Sequence, residues 1–580
     1  MLNRRSFLGG LSASLPLLAM PGSLSAQGRA PRLHAMIVGI NLYTGTDGLG
    51  RKVPDLKGAQ NDAADIEQAV KRFKPATLVR LGWDGTAATD LAVTRADFLR
   101  TWEQTLAAAQ SGDTLLLTYA GHGSRVQALP GNPSEEADGR DDTLVLTRWN
   151  ANDGRHAEHI VDDELREMFE AAARKGVIVC FIADSCHSGT LTRSVDPLAG
   201  DKTYRYAREA PVTPRGPGPT PREAPAPRTT KPELPPNMVF FAGALETQVV
   251  PEICDSRTGR YHGALSLAFA QALADGAVND GVITVRSLQL FVLQRARLLS
   301  EGAQSPRRRP TRVARVGEGV TDETPLFVLT AGTPRPPPTP PPGGHMVRLR
   351  IQGRSAADAE RIVRSVRGAV LAGAGEAETL KWNAEQRLVL NIQGHRVAEK
   401  VGERELQGVV DCRAALDRLI QMTAGGLVVQ VLIDGRDTPA SDATHRPGDK
   451  LAVKISGLTD GDYLAVFNLT GTGLVQMLEP TPYHASNPRR EDFTRPHFNT
   501  GVTVFGAERS LPDVHVGEPF GADHIVAVSG RRGLSRLMPV LKAANNQLGT
   551  ADLITALVNE SQAQGQTLKI GLRGIYTWRS

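Results

Sequence analysis

Leu115-Leu116-Leu117-Thr118-Tyr119-Ala120-Gly121-His122-Gly123 and Val177-Ile178-Val179-Cys180-Phe181-Ile182-Ala183-Asp184-Ser185-Cys186-His187-Ser188-Gly189 are two short apolar runs, each ending at glycine and a reactive side chain. A run that is apolar at nearly every position, rather than every second one, predicts a strand covered on both faces, as in parallel sheets flanked by helices. Residues 33–39 and 238–244 read the same way. Between these runs, residues 59–73, 95–109, 162–173 and 264–274 carry helical periodicity. The alternation predicts one doubly wound α/β domain over 33–330 with a mostly parallel sheet. Ligands in such sheets sit beyond the carboxyl ends of the strands, the edge where His122 and Cys186 would both emerge.

A thiol becomes a strong nucleophile only as thiolate, and a nearby histidine can take its proton and later pass one to a departing amine. Cys186 and His122 fit those roles. Taken singly, each has an ordinary reading, the cysteine as packing and the histidine as a surface or capped residue. His187 is a rival base, but consecutive side chains of an extended segment point to opposite faces, which favours His122. Cys180, inside the apolar run, reads as a small buried hydrophobe.

Tyr119-Ala120-Gly121-His122-Gly123 and Asp184-Ser185-Cys186-His187-Ser188-Gly189 resemble the His and Cys motifs of the caspase-like fold, in the D-x-C-H-S-G form of the metacaspases. Residues 33–43 and Leu56-Lys57-Gly58-Ala59-Gln60-Asn61-Asp62-Ala63 are similar to the start of that family, with Ala59 in place of its cysteine. The resemblance covers about half the chain. It implies a caspase-fold cysteine endopeptidase that forms an acyl-enzyme on protein or peptide substrates, with Gly123 and Cys186 backbone N–H groups holding the oxyanion. It also places Asp62 and Asp184 around the side chain before the scissile bond, where two carboxylates favour Arg or Lys over Asp. Read without the family, Asp62 is a helix-start residue and Asp184 a turn residue.

No cofactor is required by this chemistry. The resemblance adds calcium as an activator, with Asp162-Asp163 as half of a site. Asn150 or Arg148, and Arg193, stand where acidic ligands would be expected, and a guanidinium cannot ligate a cation. The acidic stretch 135–142 fails as an EF-hand, with Ser134 at its first position and Val145 at its twelfth. A catalytically silent scaffold of the same fold is the competing expectation.

At 580 residues the chain predicts about three or four domains. A 41% hydrophobic content against 22% charged excludes wholesale disorder. Paired Arg4-Arg5 ahead of an apolar run to Met20 resembles a twin-arginine export signal over 1–26, which implies a periplasmic or secreted protein. The formal charge of +5 includes those two arginines and is dispersed, so nucleic acid is not an expected partner. No apolar run reaches the ~18 residues of a membrane span. Four scattered cysteines exclude a disulfide framework and a CxxC zinc site.

Proline-rich residues 211–236 interrupt the first domain as a surface excursion, and Arg215, Arg222 and Arg228 make it a candidate for self-cleavage. A second proline-rich stretch, 331–344, is a linker. Residues 345–424 read as a small α+β unit, and 427–580 as a mostly β C-terminal module with one helix near 551–562. Arg446-Pro447-Gly448-Asp449, Gly461-Asp462-Tyr463-Leu464 and Gly521-Ala522-Asp523-His524 in that module resemble a β-rich domain of unknown function attached to bacterial caspase-like and kinase-like proteins. It implies a binding or regulatory role with an unknown partner.

Overall fold

The structure, a computed structural model, describes residues 29–83, 91–127, 140–153, 158–186, 203–210, 234–243, 250–255, 258–278, 281–300, 306–309, 319–329, 346–373, 378–391, 395–422, 427–433, 436–437, 444–445, 449–484, 487–515 and 518–577. The export segment and nearly all of the 211–236 stretch, with its three arginines, lie outside them, as do Arg193, His187 and the linker.

In chain order the first half runs β1 (Leu33–Gly39), α1 (Ala59–Val70), β2 (Thr77–Leu81), α2 (Arg95–Ala108), β3 (Thr114–Ala120), β4 (Gly123–Gln127), β5 (Arg140–Val145), β6 (His159–Val161), α3 (Asp162–Arg174), β7 (Ile178–Asp184) and β8 (Met238–Ala242). It continues through β9 (Glu252–Cys254), β10 (Tyr261–Gly263), α4 (Ala264–Gln271), β11 (Val282–Thr284), α5 (Val285–Leu299), β12 (Arg307–Arg309) and β13 (Pro325–Val328). Six of these strands form the central sheet in the order β12-β8-β7-β3-β1-β2, all parallel except β12 at the edge. The expected doubly wound α/β architecture is present.

Alternate side chains of each strand feed two separate cores. Ala35, Ile37, Leu116, Cys180, Ile182 and Phe241 face α1, α4 and α5, and pack with Ile66, Phe269 and Leu288. Met36, Val38, Leu117, Val179 and Phe181 face α2 and α3, and pack with Phe98, Trp102 and Phe169. Covering on both faces is why the strands read as uninterrupted apolar runs. Cys180 is fully buried in the first core, with its thiol pKa pushed up by burial.

The region after residue 345 is layered differently. Strands Val347–Gln352, Leu380–Asn383 and Leu388–Asn391 with helix Ala356–Ser365 make an α+β unit. Among the described residues a single antiparallel bridge, Ala398 to Gly521, joins its sheet to the C-terminal one built on Tyr463–Thr470, Gly521–Gly530 and Lys569–Thr577. One face of that larger sheet packs on a second sheet containing Val428–Ile433 and Lys450–Ser456. Its other face packs on helices Leu406–Met422, Leu537–Ala544 and Thr550–Gln564. The module is β-rich, as expected, but Leu537–Ala544 is a helix that the pattern did not predict. It is only 8 residues long and carries a proline in its first turn, so periodicity has too little length to register. No helix among the described residues is long and apolar enough to cross a membrane.

Candidate active site

β3 and β7 are parallel neighbours in register, Ala120 opposite Asp184, so the chain leaves both strands at one level. His122 and Cys186 each follow two residues later. The N–H groups of Gly123 and Cys186 converge on one oxygen, the carbonyl of Arg205, at 3.1 and 3.0 Å. That shared acceptor brings the two predicted motifs together.

His122 is held from several sides. Its N–H donates to the Tyr43 hydroxyl at 2.8 Å, and its carbonyl oxygen lies 2.7 Å from the Tyr119 hydroxyl and accepts from the Val145 N–H at 3.0 Å. The Tyr43 ring packs at a tilt on the imidazole, with centroids 4.6 Å apart. Gly121 has no side chain because a Cβ would come within 2.8 Å of the Tyr119 and Tyr43 hydroxyl oxygens.

The imidazole Nε2 lies 2.7 Å from the Pro54 carbonyl oxygen. A carbonyl only accepts, so Nε2 carries the proton and donates, which leaves Nδ1 with the lone pair of the neutral tautomer. Nδ1 is buried without a hydrogen-bond partner. Burial lowers the His122 pKa to about 4, against the smaller raising effect of the Pro54 contact, so the ring is neutral near pH 7. A neutral imidazole with one nitrogen locked and the other open is the form a proton acceptor needs. Cys186 is 2% exposed and His122 fully buried.

A second cluster lies beside these groups. Asp62 is on the first turn of α1, a helix whose N-terminal N–H groups at Ala59 and Gln60 donate to the Asn41 side chain, since Gly58 at the N-cap has none. The Asp62 carboxylate accepts from the Gly263 N–H at 3.0 Å and lies 3.0 Å from His262 Nδ1. Asp184 accepts from the Ser266 N–H at 2.7 Å, while its Oδ1 is buried without a partner. Glu252, at the start of β9, accepts from the N–H groups of Lys57 and Gly58, both at 2.8 Å. Burial raises the Asp184 and Glu252 pKa values, with Arg205 pulling the other way.

Between the three carboxylates sits the Arg205 guanidinium, itself unexposed. Nη2 is 2.6 Å from Asp62 and 3.3 Å from Glu252, and Nη1 is 3.2 Å from the Asp184 carbonyl and 3.5 Å from its carboxylate. Burial works against its charge, but the carboxylates more than offset it and the pKa rises. Gly263 makes room, because a Cβ there would stand 2.1 Å from Asp184 Oδ2 and 2.5 Å from Arg205 Nη1.

The structure therefore gathers His122, Gly123, Cys186, Asp62 and Asp184 around the buried Arg205. Glu252, Arg205 and the Pro54 carbonyl were not anticipated. Glu252 and Arg205 carry no motif, and a backbone carbonyl is silent in a sequence. Asp162 and Asp163 head α3, with Asp163 engaged by Arg166 at 2.7 Å. The Asn150 side chain accepts the Asn152 N–H at 3.0 Å. Among the described residues no three His, Cys, Asp or Glu side chains are grouped to hold a metal. No step of the reaction proposed below is assigned to a cation.

Residues 33–194 match the family model of the metacaspase, peptidase C14 domain. Metacaspase-1B of Aspergillus terreus is 33% identical over 162 residues, 27% of this chain and 39% of that protein. Metacaspase-1B of Aspergillus oryzae is 28% identical over 270 residues, 42% of this chain and 60% of that protein. In both cases the alignment spans less than two thirds of the relative's length. A crystal structure of caspase-1 from Spodoptera frugiperda aligns over 48% of this chain and 86% of its own at 13% identity and a TM-score of 0.28, a likeness too slight to bear on the site.

Proposed function

We propose that this chain is a metacaspase-like cysteine endopeptidase that cleaves after Arg or Lys. Nδ1 of His122 takes the Cys186 thiol proton, and the sulfur attacks the carbonyl carbon of the scissile bond. Negative charge develops on the carbonyl oxygen where the Gly123 and Cys186 N–H groups already point, so no reorganisation is needed as the barrier is crossed. His122 then gives the proton to the leaving amine, and water hydrolyses the thioester. The substrate's basic side chain would enter among Asp62, Asp184 and Glu252, whose charges are matched only by a cation.

The observation that carries this reading is one residue satisfying both halves of the cleft at once. Arg205 has its carbonyl oxygen on the two N–H groups and its guanidinium on the three carboxylates. The metacaspase-domain match over 33–194 supports the reaction class, and it includes His122, Cys186, Asp62 and Asp184.

Fluorogenic peptides with Arg, Lys or Asp before the reporter test the proposal. Arginyl and lysyl peptides are expected to be hydrolysed and aspartyl ones spared, with all hydrolysis lost in Cys186→Ala. An aspartyl preference would refute the pocket assignment. No turnover, together with no labelling of Cys186 by an arginyl electrophile after cleft-clearing proteolysis, would favour the silent scaffold. Export through residues 1–26 is part of the same proposal, tested by the N-terminus of protein recovered from the cell envelope.

A further inference from the structure

Between the two sheets of the C-terminal module the core changes character along its strands. Successive inward positions on Tyr463–Thr470 are Leu464, Val466 and Asn468, and those on its antiparallel neighbour Gly521–Gly530 are Ala527, Ile525 and Asp523. Apolar packing gives way to an amide and a carboxylate where a sandwich core calls for further aliphatic side chains. At that end a cavity of about 110 Å³ lies between the sheets. Leu451, Ile525 and Ile575 form its buried apolar wall, and half-buried Gln476, Leu478 and Val514 stand at its opening.

The polar groups of this cavity are out of balance. Asn468 Nδ2 lies 2.8 Å from Asp523 Oδ1 and 2.9 Å from Gln476 Oε1. The carboxylate fixes which end of the amide is nitrogen, so both Asn468 hydrogens are committed and its Oδ1 is the buried oxygen left without a partner. Asp523 Oδ2 accepts from the Thr577 hydroxyl at 2.9 Å. Acceptors thus exceed donors. Burial raises the Asp523 pKa against those two neutral donors, so its ionised form calls for a cation.

We propose that this cavity binds a primary ammonium on a short alkyl chain, with the nitrogen at Asp523 and Asn468 Oδ1 and the carbons against Leu451, Ile525 and Ile575. A proton would satisfy the carboxylate alone. An ammonium carries three N–H donors, enough for the carboxylate, the Asn468 oxygen and a lone pair of Gln476 Oε1. An apolar cavity of ~150 Å³ holds benzene, so the space here suits roughly five heavy atoms. That is the size of n-butylammonium and of the end of a lysine side chain. A calcium ion would need about six or more oxygen ligands, which an aliphatic wall does not supply.

Isothermal titration of the full chain with n-butylammonium, n-butanol, butyrate and calcium chloride tests the site. Nα-acetyl-lysine methylamide is the arm that separates a lysine side chain from a free amine. n-Butylammonium is expected to bind about tenfold or more tightly than the alcohol or butyrate, and to lose about tenfold or more in Asp523→Asn. Should Asp523→Asn fail to fold, Leu478→Trp at the opening is expected to give a similar loss with every polar group of the cavity in place. The lysine derivative binding as tightly as n-butylammonium would assign the site to a protein lysine, and its exclusion would assign the site to a free amine; either supports the inference. Binding that survives Asp523→Asn but is lost in Asp62→Asn places the amine in the carboxylate cluster beside Cys186 and overturns it. So do equal affinity for n-butanol, preference for calcium, and the absence of n-butylammonium binding.

Discussion

Buried carboxylates occur at both ends of this molecule, and they are compensated in opposite ways. In the first half Asp62, Asp184 and Glu252 gather around Arg205 and also accept backbone N–H groups. In the C-terminal module Asp523 is buried on the strand Gly521–Gly530, and the hydrogen bonds it accepts come from neutral groups, the Asn468 amide at 2.8 Å and the Thr577 hydroxyl at 2.9 Å. Burial raises the Asp523 pKa to about 6, and those two hydrogen bonds only partly oppose it. Several buried acids in one place cost more than one. Their persistence around a cation, at strand ends beside a thiol and an imidazole, is what a binding site for a cation requires. A single acid among neutral partners needs only a proton, or the one ammonium that takes its place.

The largest effect expected on the first site is on catalysis: Cys186→Ala should reduce arginyl-peptide hydrolysis by about a thousandfold or more, read as kcat/KM after the cleft is cleared by proteolysis. Next comes stability. Arg205→Met, made in Cys186→Ala so that cleavage does not interfere, should lower the unfolding free energy by about 3–5 kcal/mol in urea, because three buried carboxylates lose their cation. A change below ~1 kcal/mol would mean that the carboxylates are protonated or hydrated, and the contrast with Asp523 would collapse. Asp62→Asn should lower kcat/KM for arginyl peptides by about a hundredfold, as expected when one partner of a buried charge pair is truncated, while spared kinetics would remove Asp62 from the pocket.

The smallest effects are in pH dependence, and they should have opposite signs for Asp523 and His122. Asp523 has its folded pKa raised from 3.8 to about 6, so its contribution to stability is present below pH 3.8 and lost as pH rises through 6. His122 has its folded pKa lowered from 6.5 to about 4, so its contribution is present above pH 6.5 and lost as pH falls toward 4. Urea unfolding at a series of pH values should show Asp523→Asn removing the loss toward neutral pH and His122→Gln removing the loss toward acid. Each is worth about 1–3 kcal/mol. Slopes unchanged in either variant would show that the group does not titrate as its burial requires.

Much of the first half could be read from the chain. A strand buried on both faces must be apolar throughout, so β1, β3, β7 and β8 announced themselves, and the sheet rule placed His122 and Cys186 at one edge before any contact was known. The C-terminal helix Leu537–Ala544 did not announce itself, because two turns are too short for a period to emerge. The cleft was half legible. Residue types named the nucleophile, the imidazole and two carboxylates, since their chemistry belongs to the side chain. Glu252 lies 190 positions after Asp62 and no local pattern links them.

By itself the sequence determined which residues can do chemistry and that they leave a parallel sheet at its carboxyl edge, because hydrophobic period and side-chain type are local properties. Tertiary structure alone decided that Nε2 of His122 donates to the Pro54 carbonyl, that Glu252 joins Asp62 and Asp184, and that Arg205 fills the space between them. Those facts depend on backbone carbonyls and N–H groups from distant segments meeting at one point. A backbone group is the same in every residue, so only the fold can assign it a partner.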